Sequence, residues 1–202
     1  MTIILPAADQ FDAVIFDLDG TLAHTMPLHY LAWTAALTPH GIQFSEDQYY
    51  SLAGSASKAI VHQLSEEQGI PIDVETVVRT KEAAYLDLLP QVQPIEPVLN
   101  IAHEHHGKIP LAVGSGGRRR PVENTLKAIN AHHLFPVIVT SDDVTHGKPA
   151  PDTFLRAAQL MGVAPERTVV VEDGAQGIAA ARAAGMILVV VDTRHLPLNS
   201  PL

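Results

Sequence analysis

Two aspartates, Asp17 and Asp19, stand two residues apart at the end of a short apolar run, and Glu172 and Asp173 end another. At a strand end, residues two apart project to the same side, so both aspartates can face a ligand while Leu18 turns back to the core. Gly20 then lets the backbone turn sharply. Carboxylates this close repel and push one pKa up unless a cation lies between them or one carries a proton. Either pair alone is ordinarily a turn or a solvated loop. Two such pairs, each after a buried-strand pattern, are hard oxygen donors of the kind Mg²⁺ takes together with water and substrate phosphate.

Ser115 follows a further apolar run and opens a loop with Gly116 and Gly117, ahead of a helical segment whose first turn contains Pro121. Backbone N–H groups and a hydroxyl at a helix N-terminus form an anion cradle. A Gly-Ser-Gly-Gly loop is a weak signal by itself: the P-loop spacing does not occur, and the dinucleotide pattern fails because Arg119 stands where its third glycine belongs. Arg118-Arg119-Arg120 is read as a solvated helix start. Lys148 lies between Gly147 and Pro149, with Pro151 close behind. Such a stiff segment can hold one ammonium as a fixed point charge.

These residues need a frame that brings strand ends together. Apolar runs rich in Val and Ile occur at residues 13–16, 109–113, 137–139, 168–171 and 187–191, and nearly all end in polar or acidic clusters. Helical periodicity separates the later runs at 122–129, 154–161 and 177–184, and Gly185 stands where a glycine ends a helix. Continuous apolar runs alternating with helices predict an α/β fold with buried parallel strands, whose ligands bind beyond the carboxyl ends. Between the first two runs lies a helical insert, with candidate helices at 27–37, 45–53, 57–67 and 74–89. It returns through a proline-punctuated linker at 91–97. The expected division is a core of residues 1–25 and 92–202 and a helical cap of residues 26–91.

Composition narrows the partners. A formal charge of −9 argues against nucleic acid and anionic membranes, which are met by clustered Lys and Arg. Cysteine is absent, which removes disulfides, thiolate metal sites and a cysteine nucleophile. No signal-peptide pattern or membrane-length apolar run occurs, so a cytoplasmic protein, expected to be a monomer, is the default. His103, His105 and His106 do not share one helix face and are read as a solvated surface rather than a metal-chaperone site.

The ordered motifs Phe16-Asp17-Leu18-Asp19-Gly20-Thr21-Leu22, Ser115 after its strand, Gly147-Lys148-Pro149-x-Pro151-Asp152 and Glu172-Asp173-Gly174-x-x-Gly177 resemble the haloacid dehalogenase superfamily. Within it the chain is similar to the branch of β-phosphoglucomutase and small sugar-phosphate phosphatases. The resemblance implies a Rossmann-like parallel sheet with a helical cap inserted after the first strand. It makes Asp17 the nucleophile, Asp19 the acid and base, and Ser115 and Lys148 the groups that meet the phosphoryl charge, with Gly116 and Gly117 binding its oxygens. Mg²⁺ would be held by Asp17, the Asp19 carbonyl and Asp173, with Glu172 assisting directly or through water.

In the cap, His29, Trp33, Gly54 and Lys81 match positions around the substrate pocket of that branch. The chain departs from it at Ser57, which stands where the mutase has a phosphate-clamping arginine, and at His24, which replaces an acidic residue. Lys58 could partly substitute for the arginine. The implied activity is a Mg²⁺-dependent phosphatase for small sugar phosphates of the fructose 1-phosphate, hexose or pentose kind. Three alternatives stay open: a β-phosphoglucomutase, a receiver-type phosphoacceptor module and a catalytically silent binding protein.

Overall fold

The computed structural model describes residues 3–53 and 55–193. Five strands form one parallel sheet: β1 (Ala13–Phe16), β2 (Leu111–Gly114), β3 (Val137–Val139), β4 (Thr168–Glu172) and β5 (Ile187–Val190), in the order β3-β2-β1-β4-β5. β1, β2 and β4 are buried throughout, which is why they read as continuous apolar runs. Ile109 falls outside the second strand, which starts after Pro110.

After β1 come α1 (Met26–Leu37), α2 (Glu46–Ser51), α3 (Ser57–Gln68) and α4 (Val74–Leu88). They are followed by α5 (Glu96–His105), α6 (Arg119–Ala128), α7 (Asp152–Met161) and α8 (Ala175–Ala183). Local chemistry sets several ends. Ser45 accepts the Gln48 N–H at the start of α2, and Asp73 accepts those of Glu75 and Thr76 at the start of α4. After α8, Gly185 at φ +69° passes its N–H to Arg182 while Met186 reaches Ala181, closing the helix as expected.

Alternation along the strands divides the core. Val14, Phe16, Val169 and Val171 face one side with α5 and α6, through Leu99 and Leu126, while Ile15 and Val170 face α7 and α8 through Phe154 and Ala181. The sheet is therefore covered on both faces. A separate cluster of Trp33, Leu37, Ile60, Leu64 and Val77 holds α1, α3 and α4 together.

The stretch expected as a linker is only partly one. Residues 89–91 form a 3₁₀ turn, and α5 begins at Glu96 with Pro97 in its first turn, where a missing N–H leaves no bond unmade. The outgoing and returning chains run side by side: the His24 N–H donates to Gln93 O and the Ile95 N–H to Leu22 O, each at 2.8 Å. His105 Nδ1 bonds to Ile101 O at 2.9 Å on α5. No helix among the described residues is long and apolar enough to cross a membrane.

Leu64 is fully buried in the helical cluster. Its replacement by Ala is expected to lower the unfolding free energy by about 2–5 kcal/mol, read as a lower midpoint in urea at unchanged slope.

Candidate active site

The site forms because β1 and β4 are neighbours, so the chain leaving each delivers its acids to the same edge. Asp17 follows β1 directly and gives its N–H to Val171 O. Beyond it, the Leu22 and Ala23 N–H groups return to Leu18 O in a tight loop, and Leu18 is buried as expected. Gly20 sits at φ +91°, and a Cβ there would run into the Asp173 carboxylate. Glycine is needed at that position for both conformation and space.

Lys148 ties the two strands together. Its Nζ lies 2.6 Å from Asp17 Oδ1 and 2.7 Å from Glu172 Oε2, and all three side chains are buried. The other Glu172 oxygen accepts the N–H groups of Asp173 and Gly174. Thr21 Oγ1 donates to Asp173 Oδ1 at 2.7 Å. Oxygens of Asp17, Glu172 and Asp173 all come within 4.8 Å of one another.

Three carboxylates against one ammonium leave negative charge in a desolvated place. Burial and the Glu172 charge raise Asp17 well above the usual carboxylate range, against the pull of Lys148. Burial and Glu172 likewise push Asp173 up to about 7. Lys148 is itself held above the ordinary lysine value because Asp17 and Glu172 outweigh its burial. An excess of hard oxygen donors that resist ionisation fits a divalent cation.

Asp19 has different company. Thr25 Oγ1 donates to its Oδ1 at 2.7 Å, and His29 Nε2 lies 3.0 Å from the same oxygen. Burial alone would raise this carboxyl, but His29, Thr25 and Lys81 bring it down to about 2. Lys81 Nζ stands 3.1 Å from His29 Nδ1. Since an ammonium can only donate, Nδ1 must accept, and His29 then carries its proton on Nε2 toward Asp19. The imidazole stacks on Tyr85 at 3.9 Å, and Lys81 Nζ lies 5.2 Å from the Trp33 ring centre.

On the next strand, Ser115 Oγ accepts the Gly117 N–H at 3.0 Å, so the serine hydroxyl hydrogen can point into the pocket. A Cβ on Gly117 would stand 3.3 Å from Ser115 Oγ and 3.8 Å from Asp19 Oδ2. The loop thus passes close to both groups.

Asp17, Asp19, His29, Trp33, Lys81 and Ser115 line one pocket between the strand ends and the inserted helices, with Gly116, Gly117, Glu172 and Asp173 around them. Lys148 sits just behind Asp17. Lys58 is not brought in: it is exposed, pairs with Glu75, and is not among the residues lining the pocket. The expectation that it substitutes for the clamping arginine is corrected accordingly. Ser57 does line the pocket, and Gly54 lies outside the described residues. Arg118, expected as a solvated helix start, also reaches the pocket. Tyr85 was not foreseen, although its place four residues after Lys81 puts it on the same helix face.

Residues 14–191 match the haloacid dehalogenase-like hydrolase family. The chain belongs to that family. It is 40% identical over 189 residues to the fructose-1-phosphate phosphatase YqaB of Escherichia coli, covering 93% of this chain and 99% of that one. It is 29% identical to the phosphorylated carbohydrates phosphatase of Thermotoga maritima, over 87% of this chain and 82% of that protein. A crystal structure of mutant CbbY from Rhodobacter sphaeroides in complex with xylulose-(1,5)bisphosphate superimposes with a TM-score of 0.82 at 26% identity, covering 94% and 91% of the two chains. This haloacid dehalogenase-like hydrolase has the five-stranded parallel sheet described above and shares the fold of that structure.

Replacing Lys148 by Met leaves Asp17 and Glu172 buried without their cation. The unfolding free energy, measured in denaturant with a chelator present, should fall by about 3–5 kcal/mol. Gly147→Ala, with nothing within 4 Å of the added Cβ, should change it by less than ~0.5 kcal/mol.

Proposed function

We propose that this hydrolase is a Mg²⁺-dependent phosphatase of small sugar phosphate monoesters, of the fructose 1-phosphate, hexose or pentose kind, acting through an aspartyl-phosphate on Asp17. The observation that carries the proposal is the meeting of two differently tuned aspartates and a serine hydroxyl in one pocket, with a buried lysine on the first aspartate. The sugar and carbohydrate phosphatases among its relatives support the substrate class.

Asp17, the main-chain carbonyl of Asp19 and Asp173 would hold Mg²⁺, with Glu172 assisting. The bound ion would place positive charge against the phosphoryl oxygens. Lys148 keeps an Asp17 oxygen oriented and offsets charge beside it. That carboxylate attacks phosphorus, the bond from phosphorus to the sugar oxygen breaks, and the departing oxygen takes a proton from Asp19. Water then attacks the aspartyl-phosphate and gives its proton back to Asp19, releasing phosphate and restoring Asp17. An acid near 2 is mostly ionised in the empty pocket, which suits the second step. A phosphate dianion arriving beside it raises its proton affinity for the first. Ser115 and the Gly116–Gly117 backbone supply donors to the phosphoryl oxygens.

Residues 26–91 act in this proposal as the cap that closes the pocket, bringing His29, Trp33 and Lys81 to the sugar. The protein works as a cytoplasmic monomer on a small phosphorylated molecule. A mutase must grip a second phosphate, and the orientation of Lys58 toward Glu75 with serine at position 57 favours hydrolysis.

A phosphate-release assay across sugar and nucleotide monophosphates tests the proposal. Turnover should be found among the sugar phosphates, vanish with chelator and return with Mg²⁺, and Asp17→Asn should lower kcat at least ~10³-fold. Equal activity in D17N, or glucose 6-phosphate formed from β-glucose 1-phosphate faster than inorganic phosphate, contradicts it.

Burial lowers Lys81 to about 8 despite the opposing charges of Asp19 and Glu82. Protonated below that pH and neutral above it, Lys81 loses its pull on the anionic sugar phosphate as pH rises. The kcat/KM profile should fall on its alkaline side near pH 8, and Lys81→Arg should move that limb upward. An alkaline limb at the same pH in both proteins contradicts the role.

A further inference from the structure

Arg118 and Glu82 meet in the lining of the pocket, and nothing in the hydrolysis uses them. Arg118 precedes α6 beside the Ser115–Gly117 loop, whereas Glu82 comes from α4 next to Lys81. Both line the pocket that holds Asp17 and Asp19. The guanidinium lies 3.6 Å from Glu82 Oε1 and 3.4 Å from Asp142 Oδ1, so two carboxylates oppose one cation. Its side chain is 48% exposed and that of Glu82 19%. The pair is reachable from the pocket without being locked in the core.

The lysines near the reacting end already have partners. Lys148 is shared between Asp17 and Glu172, Lys81 stands against His29, and Lys58 is turned out to Glu75. Arg118 is therefore the guanidinium that a second anionic group on the substrate would have to engage. To do so it would have to displace Glu82 and remain near Asp142, and like charges brought together this way are strongly disfavoured. A hydroxyl-bearing carbon chain meets no such barrier. Each hydroxyl can donate to Glu82 and accept from Arg118, matching one acceptor and one donor held side by side.

We propose that Arg118 and Glu82 form the specificity-determining pair for the end of the substrate remote from the reacting phosphate, accepting a neutral polyhydroxyl group and rejecting a second phosphate. The inference rests on the phosphatase reading of the same pocket. It makes a sugar monophosphate the substrate class and a sugar bisphosphate a poor one.

The test compares kcat/KM for fructose 1-phosphate and fructose 1,6-bisphosphate in the wild type, Glu82→Gln, Arg118→Gln and the double variant. The wild type should prefer the monophosphate. E82Q keeps the shape of the side chain, removes one opposing charge, and should raise the bisphosphate-to-monophosphate ratio about tenfold. That gain should disappear in the double variant, because Arg118 is what the second phosphate would engage. A ratio unmoved by E82Q, or a gain that persists without Arg118, overturns the pair's role while leaving monoester hydrolysis standing. Absence of phosphate release from all sugar monophosphates in the wild type overturns the phosphatase reading itself.

Discussion

The buried ammonium of Lys148, shared between Asp17 and Glu172, is the interaction on which the rest of the site depends. It joins the ends of β1 and β4, whose pairing depends on the apolar runs behind them. Without it, carboxylates from two strands would meet in a place with little water, where like charges are costly. The neighbouring glycines belong to the same constraint. A Cβ on Gly177 would collide with the Glu172 side chain, and one on Gly20 would collide with Asp173. Small residues on α8 and in the loop after β1 are therefore conditions for the acids to converge.

Asp17 and Asp19 stand two residues apart and live in opposite electrostatic settings. Burial among acids dominates around Asp17, while Thr25, His29 and Lys81 stabilise the charge of Asp19. The second setting depends on the inserted helices, since His29 comes from α1 and Lys81 from α4. Tyr85 links this group to the other side of the pocket: its ring stacks on His29 and its hydroxyl lies 2.6 Å from Thr125 Oγ1 on α6. The inserted helices thus supply His29 and Lys81, which help keep Asp19 ionised.

Much of this was legible in the sequence because buried parallel strands announce themselves as apolar runs and their ends are where ligands bind. β1 and β3 fall at the expected residues, and the acids that follow the runs do converge. Other features depend on packing. α5 begins inside a proline-rich stretch, where Pro97 reads as a break although a helix's first turn tolerates it. The partners of Lys148 are 131 and 24 residues away, a proximity that only the strand order creates. Arg118 looked like one of three solvated arginines, and only the position of α4 brings Glu82 to it.

In the proposed reaction Asp17 carries the phosphoryl group between substrate and water. Quenching the enzyme in acid during turnover of its best sugar phosphate, followed by mass spectrometry of its peptides, addresses this directly. The account predicts a phosphoryl adduct on the peptide containing Asp17, formed with Mg²⁺ present, absent in the Asn variant and lost as turnover ends. Phosphate release with no adduct on that peptide at any quench time, or an adduct on another residue, would contradict it.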